Sequence, residues 1–99
     1  MNDENISKLI KEKDNTYSND NVYIILFYAS WCGHCQSFKP TWEELKKLVK
    51  LNNLGNVVEF EEREIKDKNL SVNCYPTLGF FHKGKWKEHN QARSMYAIL

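Results

Sequence analysis

Apolar positions along this chain switch between a helical and a strand-like rhythm. Ile6, Leu9 and Ile10, with Lys13 beyond them, follow helical spacing; Asn2 or Asp3 can cap, and acidic residues fill the first turn, so a short opening helix is predicted. Residues 14–21 are polar, Asn-rich and loop-like. Residues 22–29 form a continuous β-branched and aromatic run, the pattern of a central strand buried on both faces. Phe38, Trp42, Leu45 and Val49 then recur at intervals of three and four, which predicts a helix over residues 32–51. Pro40 removes one of its backbone bonds and crowds the carbonyl of Gln36, so a kink is expected there. Gly55-Asn56 ends the segment. In residues 57–62, Val58 and Phe60 alternate with Glu59 and Glu61, a short strand with one charged face. Residues 67–73 read as one helical turn and a loop, residues 77–82 as an apolar strand, Lys83-Gly84 as a turn and residues 85–89 as its hairpin partner. Weak helical spacing through Met95, Ile98 and Leu99 closes the chain. The order predicts an α/β fold with a mixed sheet.

Ninety-nine residues suffice for a single domain, residues 1–99, that buries a core without disulfide staples. A net charge of +1 and the lack of a basic stripe argue against nucleic acid or a membrane surface as partner. No apolar run is long enough to span a bilayer, and residues 1–13 lack the apolar core of a signal peptide. A native Met1 therefore implies the cytoplasm, while an excised domain leaves the compartment open. Asn5-Ile6-Ser7 and Asn69-Leu70-Ser71 match the glycosylation sequon, as an Asn-rich chain does by chance. Three cysteines are too few, and two of them too close, for a disulfide scaffold, so they point to chemistry.

The two close cysteines lie in Trp31-Cys32-Gly33-His34-Cys35, between the apolar strand and the long helix. Cys-x-x-Cys alone serves zinc, a structural disulfide or a redox dithiol. Its placement favours the last. At the start of a helix, unpaired N–H groups and the macrodipole favour an anion at Cys32, and a thiolate is one. Cys35 follows one turn on, on the same face. His34 adds a second cationic influence. Lowering a thiol pKa from about 8.5 to about 6 raises its thiolate fraction at pH 7 about thirtyfold. The accompanying loss of nucleophilicity returns about tenfold of that gain. The larger effect is thermodynamic: a stabilised reduced form makes the disulfide a stronger oxidant, so His34 biases the pair toward oxidation or isomerisation.

Residues 27–35, Pro40, Trp42-Glu43, Tyr75-Pro76-Thr77 and Arg93 resemble the catalytic domains of protein disulfide isomerases. The resemblance runs over residues 22–99. It implies a thioredoxin fold, with a central mixed sheet flanked by helices, Cys32 as attacking cysteine, Cys35 as resolving cysteine, and Tyr75-Pro76 as a cis bond facing the dithiol. Such a bond exposes the N–H and C=O of Tyr75 to an extended substrate segment, and Trp31 beside Cys32 can shield the disulfide and contact substrate. The resemblance also implies that Arg93 swings toward the dithiol and favours the Cys35 thiolate. The expected activity is thiol–disulfide exchange on cysteine-containing proteins by a monomer, with no cofactor or metal beyond the dithiol. A recycling partner (glutathione, a reductase or an oxidase) is required. An excised domain of this family belongs in the ER lumen. A cytosolic thioredoxin-like reductase and a non-catalytic client-binding module are the rival readings.

The chain departs from that pattern in three places. The family usually carries a buried acid six residues before the first cysteine to relay a proton from the resolving thiol, and here Leu26 stands there, leaving Glu59, Glu61 and Glu62 as candidate replacements. The family's first strand is missing, which makes residues 57–62 an edge whose charges resist further pairing. The last helix is short. Of the other candidates, Cys74 is expected to be a small, partly buried apolar residue, with a third reactive thiol as the alternative. A zinc site from Cys32, Cys35, Cys74 and a histidine lacks a second close-spaced ligand pair. His82 and His89 read as solvent-facing strand residues. Trp42 and Trp86 read as core or surface packing, and Lys46, Lys47 and Lys50 as the solvated face of the long helix.

Overall fold

Helix α1 (Asp3–Lys13) opens the chain in the computed structural model, which describes residues 2–68 and 70–89. The Asn2 side chain caps it by accepting from the Asn5 N–H at 3.1 Å, with Asp3 and Glu4 in the first turn and Lys11 and Lys13 in the last, all favourable to the helix dipole. Strand β1 (Tyr23–Tyr28) follows, then α2 (Gly33–Leu51), β2 (Asn56–Glu61), the single turn α3 (Glu62–Ile65), and the hairpin β3 (Thr77–His82) and β4 (Lys85–Glu88). The sheet order is β2-β1-β3-β4; β2 runs parallel to β1, and the other neighbours are antiparallel. This is the predicted mixed sheet with helices on its faces. No strand precedes β1 among the described residues, and β2 is an edge, as the missing first strand implies.

The apolar run of β1 is explained by its position, because each face of the sheet carries its own core. Tyr23, Ile25 and Phe27 point toward Ile6, Leu9 and Ile10 of α1, together with Val58, Phe60, Ile65 and Phe81. Ile24 and Leu26 point the other way, toward Phe38, Trp42, Leu45 and Val49 of α2 and Leu78. The period of two in the strands and of three to four in the helices therefore meet across both interfaces. Fully burying such a side chain is worth about 1.5–3 kcal/mol. Trp86 of β4 lies edge-on to Phe27, at 5.7 Å between ring centroids, over the position where Gly79 has no side chain. Helix α2 continues through Pro40 as one element. The hairpin turns at Lys83 and Gly84 with positive φ at both, 51° and 76°, the twist that a two-residue hairpin requires.

One predicted element lies elsewhere. The helical turn expected within 67–73 occurs earlier, as α3, because Glu61 caps it: Glu61 accepts from the Arg63 N–H while Glu64 accepts from the Glu61 N–H, a reciprocal capping box. Glu62 thus belongs to α3, not to the strand. The helix expected near the end of the chain lies outside the described residues.

Candidate active site

At the top of β1 the chain passes through buried Ala29, and Cys32 N–H donates to the Ala29 carbonyl at 3.1 Å, which turns the backbone into α2. Cys32 is the N-cap of α2: its extended backbone (φ −81°, ψ 117°) places Sγ over the helix end, where it accepts from the Cys35 N–H at 3.2 Å. Gly33 and His34 are exposed, and Cys35 returns to the interior one turn later. Neither cysteine is in a disulfide, and both are buried, packed with Ala29 against Tyr28 and Tyr75. The Tyr75-Pro76 bond is cis, and Cys32 Sγ donates to the Tyr75 carbonyl at 3.3 Å. The dithiol, the cis bond and the helix start are thus one constellation.

Trp31 stands beside it, 68% exposed yet fixed. Its Nε1 donates to Glu62 Oε1 at 2.9 Å, and its ring meets Tyr75 edge-on at 6.1 Å. Glu61 accepts from the Ser30 hydroxyl at 3.2 Å as well as capping α3. Hydrogen bonds from the Arg63 backbone and from Ser30 hold its carboxyl below the usual range. Burial, with the negative charge of Glu62 and Glu61, raises the Tyr75 phenol above its ordinary value. The roles of Glu61 and Glu62 escape a sequence reading because glutamate is a poor N-cap by statistics and nothing in the spacing pairs residue 62 with residue 31.

The thioredoxin family profile matches residues 2–98. The chain belongs to the thioredoxin family. It is 33% identical over 96 residues to protein disulfide-isomerase A4 of Rattus norvegicus, which covers 92% of this chain and 15% of that protein. It is 33% identical over 90 residues to a thioredoxin domain-containing protein of Theileria parva, covering 90% and 40% of the respective chains. The first thioredoxin domain of mouse protein disulfide-isomerase A4 superposes with a TM-score of 0.70 at 26% identity, covering 99% of this chain and 67% of that one. The chain therefore spans only part of the length of the curated relatives it matches.

Where this member of the thioredoxin family has Leu26 on β1, the side chain is 5% exposed and packs under α2. Its register partner on β2 is Glu59, on the same face of the sheet. Glu59 Oε1 accepts from Trp42 Nε1 at 3.2 Å and from Lys46 Nζ at 2.9 Å. Burial pushes this carboxyl up, but the bonds from Lys46 and Trp42 outweigh it and hold the group below its ordinary 4.5. Trp42, which the sequence leaves as core or surface packing, is a core residue. Lys46 is not part of a solvated face: it bridges Glu59 and, at 3.1 Å, Glu43, because β2 presents a carboxylate to that turn of α2.

Cys74 is exposed rather than partly buried. Leu70, Val72 and Tyr75 supply the apolar contacts of that loop to the α1-side core, and Cys74, whose carbonyl accepts from Thr77 Oγ1 at 2.6 Å, turns outward. Arg93 lies outside the described residues. Among those residues no group of three or more His, Cys, Asp or Glu could hold a metal, and no helix is long and apolar enough to cross a membrane. His82 and His89 lie along the hairpin, and the His89 ring meets Phe80 edge-on at 6.2 Å.

Proposed function

We propose that this domain is a thiol–disulfide oxidoreductase of the disulfide isomerase type, acting on cysteine-containing proteins through Cys32 and Cys35. The observation that carries the reading is the position of Cys32 Sγ, which caps α2 and lies 3.3 Å from the carbonyl of Tyr75, next to the cis proline. A helix start favours the thiolate. In the reductive half-reaction Cys32 attacks a substrate disulfide, one substrate sulfur leaves as thiolate, and a mixed disulfide forms. Cys35 then attacks Cys32 Sγ, the second substrate sulfur leaves, and the domain is left with a Cys32–Cys35 disulfide. Run backwards, the same steps oxidise a substrate dithiol. Trp31, pinned by Glu62, is the apolar ledge against which the substrate lies, and Tyr75 offers it backbone groups as a neighbouring strand would. Gly33 is exposed with open space around it, and exposed His34 stabilises the reduced form.

The direction is oxidation or isomerisation, with glutathione, a reductase or an oxidase as recycling partner. Such chemistry has its use in an oxidising lumen such as that of the ER. Equilibrating the dithiol against glutathione buffers tests the proposal. A potential near about −180 mV is expected, and one near about −270 mV would make the domain a reductase. Cys32→Ser abolishes turnover on this reading; a variant that retained full exchange activity would remove Cys32 from the mechanism.

A further inference from the structure

Resolution by Cys35 requires its thiol to lose a proton, and the residue is only 9% exposed. A cleft of about 300 Å3 opens beside it between β1, β2 and α2. A water molecule occupies about 30 Å3, so the cleft has room for a short chain of them. The titratable groups on its wall are Tyr28 from β1, Lys39 and Glu43 from α2, and Glu59 from β2. Lys46 of α2 closes over the two carboxylates, and Lys13 of α1 adds positive charge near Glu59. Glu43 is the more exposed of the two acids and is held by Lys46 of its own helix. Glu59 is set on the sheet and oriented by Trp42. Both of its side-chain donors address Oε1, and Oε2 has no donor among the described residues.

We infer that Glu59 is the positioning residue for the proton of Cys35, receiving it at Oε2 through water in the cleft as Cys35 attacks. The inference rests on the dithiol reading above and selects one carboxylate from β2 and its surroundings. Glu61 is committed to Ser30 and the α3 cap, and Glu62 to Trp31. The step balances. The Cys35 S–H bond breaks and its proton goes to Glu59, Cys35 Sγ bonds to Cys32 Sγ, and the Cys32–substrate S–S bond breaks with its electron pair leaving on the substrate sulfur. The dithiol is oxidised by the two electrons that reduce the substrate disulfide. In the reverse direction the same carboxyl returns the proton to Cys35. Strand spacing explains how β2 can serve: neighbouring strands lie about 4.8 Å apart, so the carboxylate stands one strand away from buried Leu26 and still on the wall of the cleft.

The test mixes the reduced domain with a peptide disulfide in a single turnover, quenches with acid and counts the mixed disulfide by mass spectrometry from pH 5 to 9. Glu59→Gln is expected to form the mixed disulfide at the wild-type rate but to resolve it at least about tenfold more slowly near neutral pH, less than the roughly hundredfold or more of a directly bonded general base because water intervenes. The deficit should shrink as pH rises and the thiol ionises unaided. Adding Leu26→Glu to Glu59→Gln, with the fold checked by circular dichroism, should restore resolution near neutral pH. Resolution in Glu59→Gln that follows the wild-type pH profile overturns the inference, as does a slowing that is the same at every pH. If the wild-type domain forms no mixed disulfide, the dithiol reading itself fails.

Discussion

Cys32 has a structural duty separable from its proposed chemistry, and replacing its sulfur in two ways measures it. Both Cys32→Ser and Cys32→Ala should abolish exchange. Serine keeps an oxygen that can accept from the Cys35 N–H and donate to the Tyr75 carbonyl, as Sγ does at 3.2 and 3.3 Å. Alanine keeps neither bond. Losing an N-cap costs about 0.5–2 kcal/mol, typically about 1. The Tyr75 carbonyl, in a half-buried residue, is left to water, which keeps the added cost small. The sum is about 1–2 kcal/mol, and for a domain of this size each kcal/mol moves the melting temperature by about 4–8 °C. Cys32→Ala should therefore melt about 4–16 °C below Cys32→Ser when both are unfolded by heat in reducing buffer. Serine is the better cap, so Cys32→Ser should match or exceed the reduced wild type. Equal melting temperatures for the two variants would refute the capping role.

Two further outcomes follow from the packing and the charges. Gly79→Ala places a methyl group against the Trp86 ring and 2.7 Å from the Lys87 carbonyl, an overpacking that costs about 1–3 kcal/mol; Trp86→Leu in the same chain should recover part of it, and an unaltered urea midpoint for Gly79→Ala would count against the described seat of Trp86. The Glu59 carboxyl titrates below its ordinary 4.5 when folded, so it contributes stability above that value that is lost as pH falls through the folded pKa. The gap between urea midpoints at pH 7 and pH 3.5 should thus be smaller in Glu59→Gln than in the wild type, modestly so because the side chain is 36% exposed; identical gaps would show that Lys46 and Trp42 do not favour the ionised form.

Much of the architecture was legible because burial on two faces leaves a strong mark. A strand such as β1, apolar at every position, can only be central, and the spacing of Phe38, Trp42, Leu45 and Val49 names the face of α2 that meets it. The placement of Cys32 and Cys35 at the start of α2 was legible for a related reason: it depends only on the local strand-to-helix junction. Tertiary pairing was not legible. Helical periodicity places Lys46 on an outer face without knowing that β2 sets Glu59 opposite it. The capping of α3 by Glu61 runs against N-cap preferences, and the outward turn of Cys74 depends on which neighbours in an irregular loop take the available apolar contacts. Three glutamates close in sequence looked equivalent, and the fold gave them three separate tasks.

The last residue of α1 reaches the exposed side of the sheet. Lys13 Nζ donates to the backbone carbonyl of Glu59, pairs with Glu64 at 2.8 Å and sits 4.8 Å above the Phe60 ring. An ammonium group on that carbonyl occupies an acceptor that an incoming strand from another molecule needs. Lys13 therefore acts as a gatekeeper on the β2 edge, and it does so from a helix rather than from the strand itself.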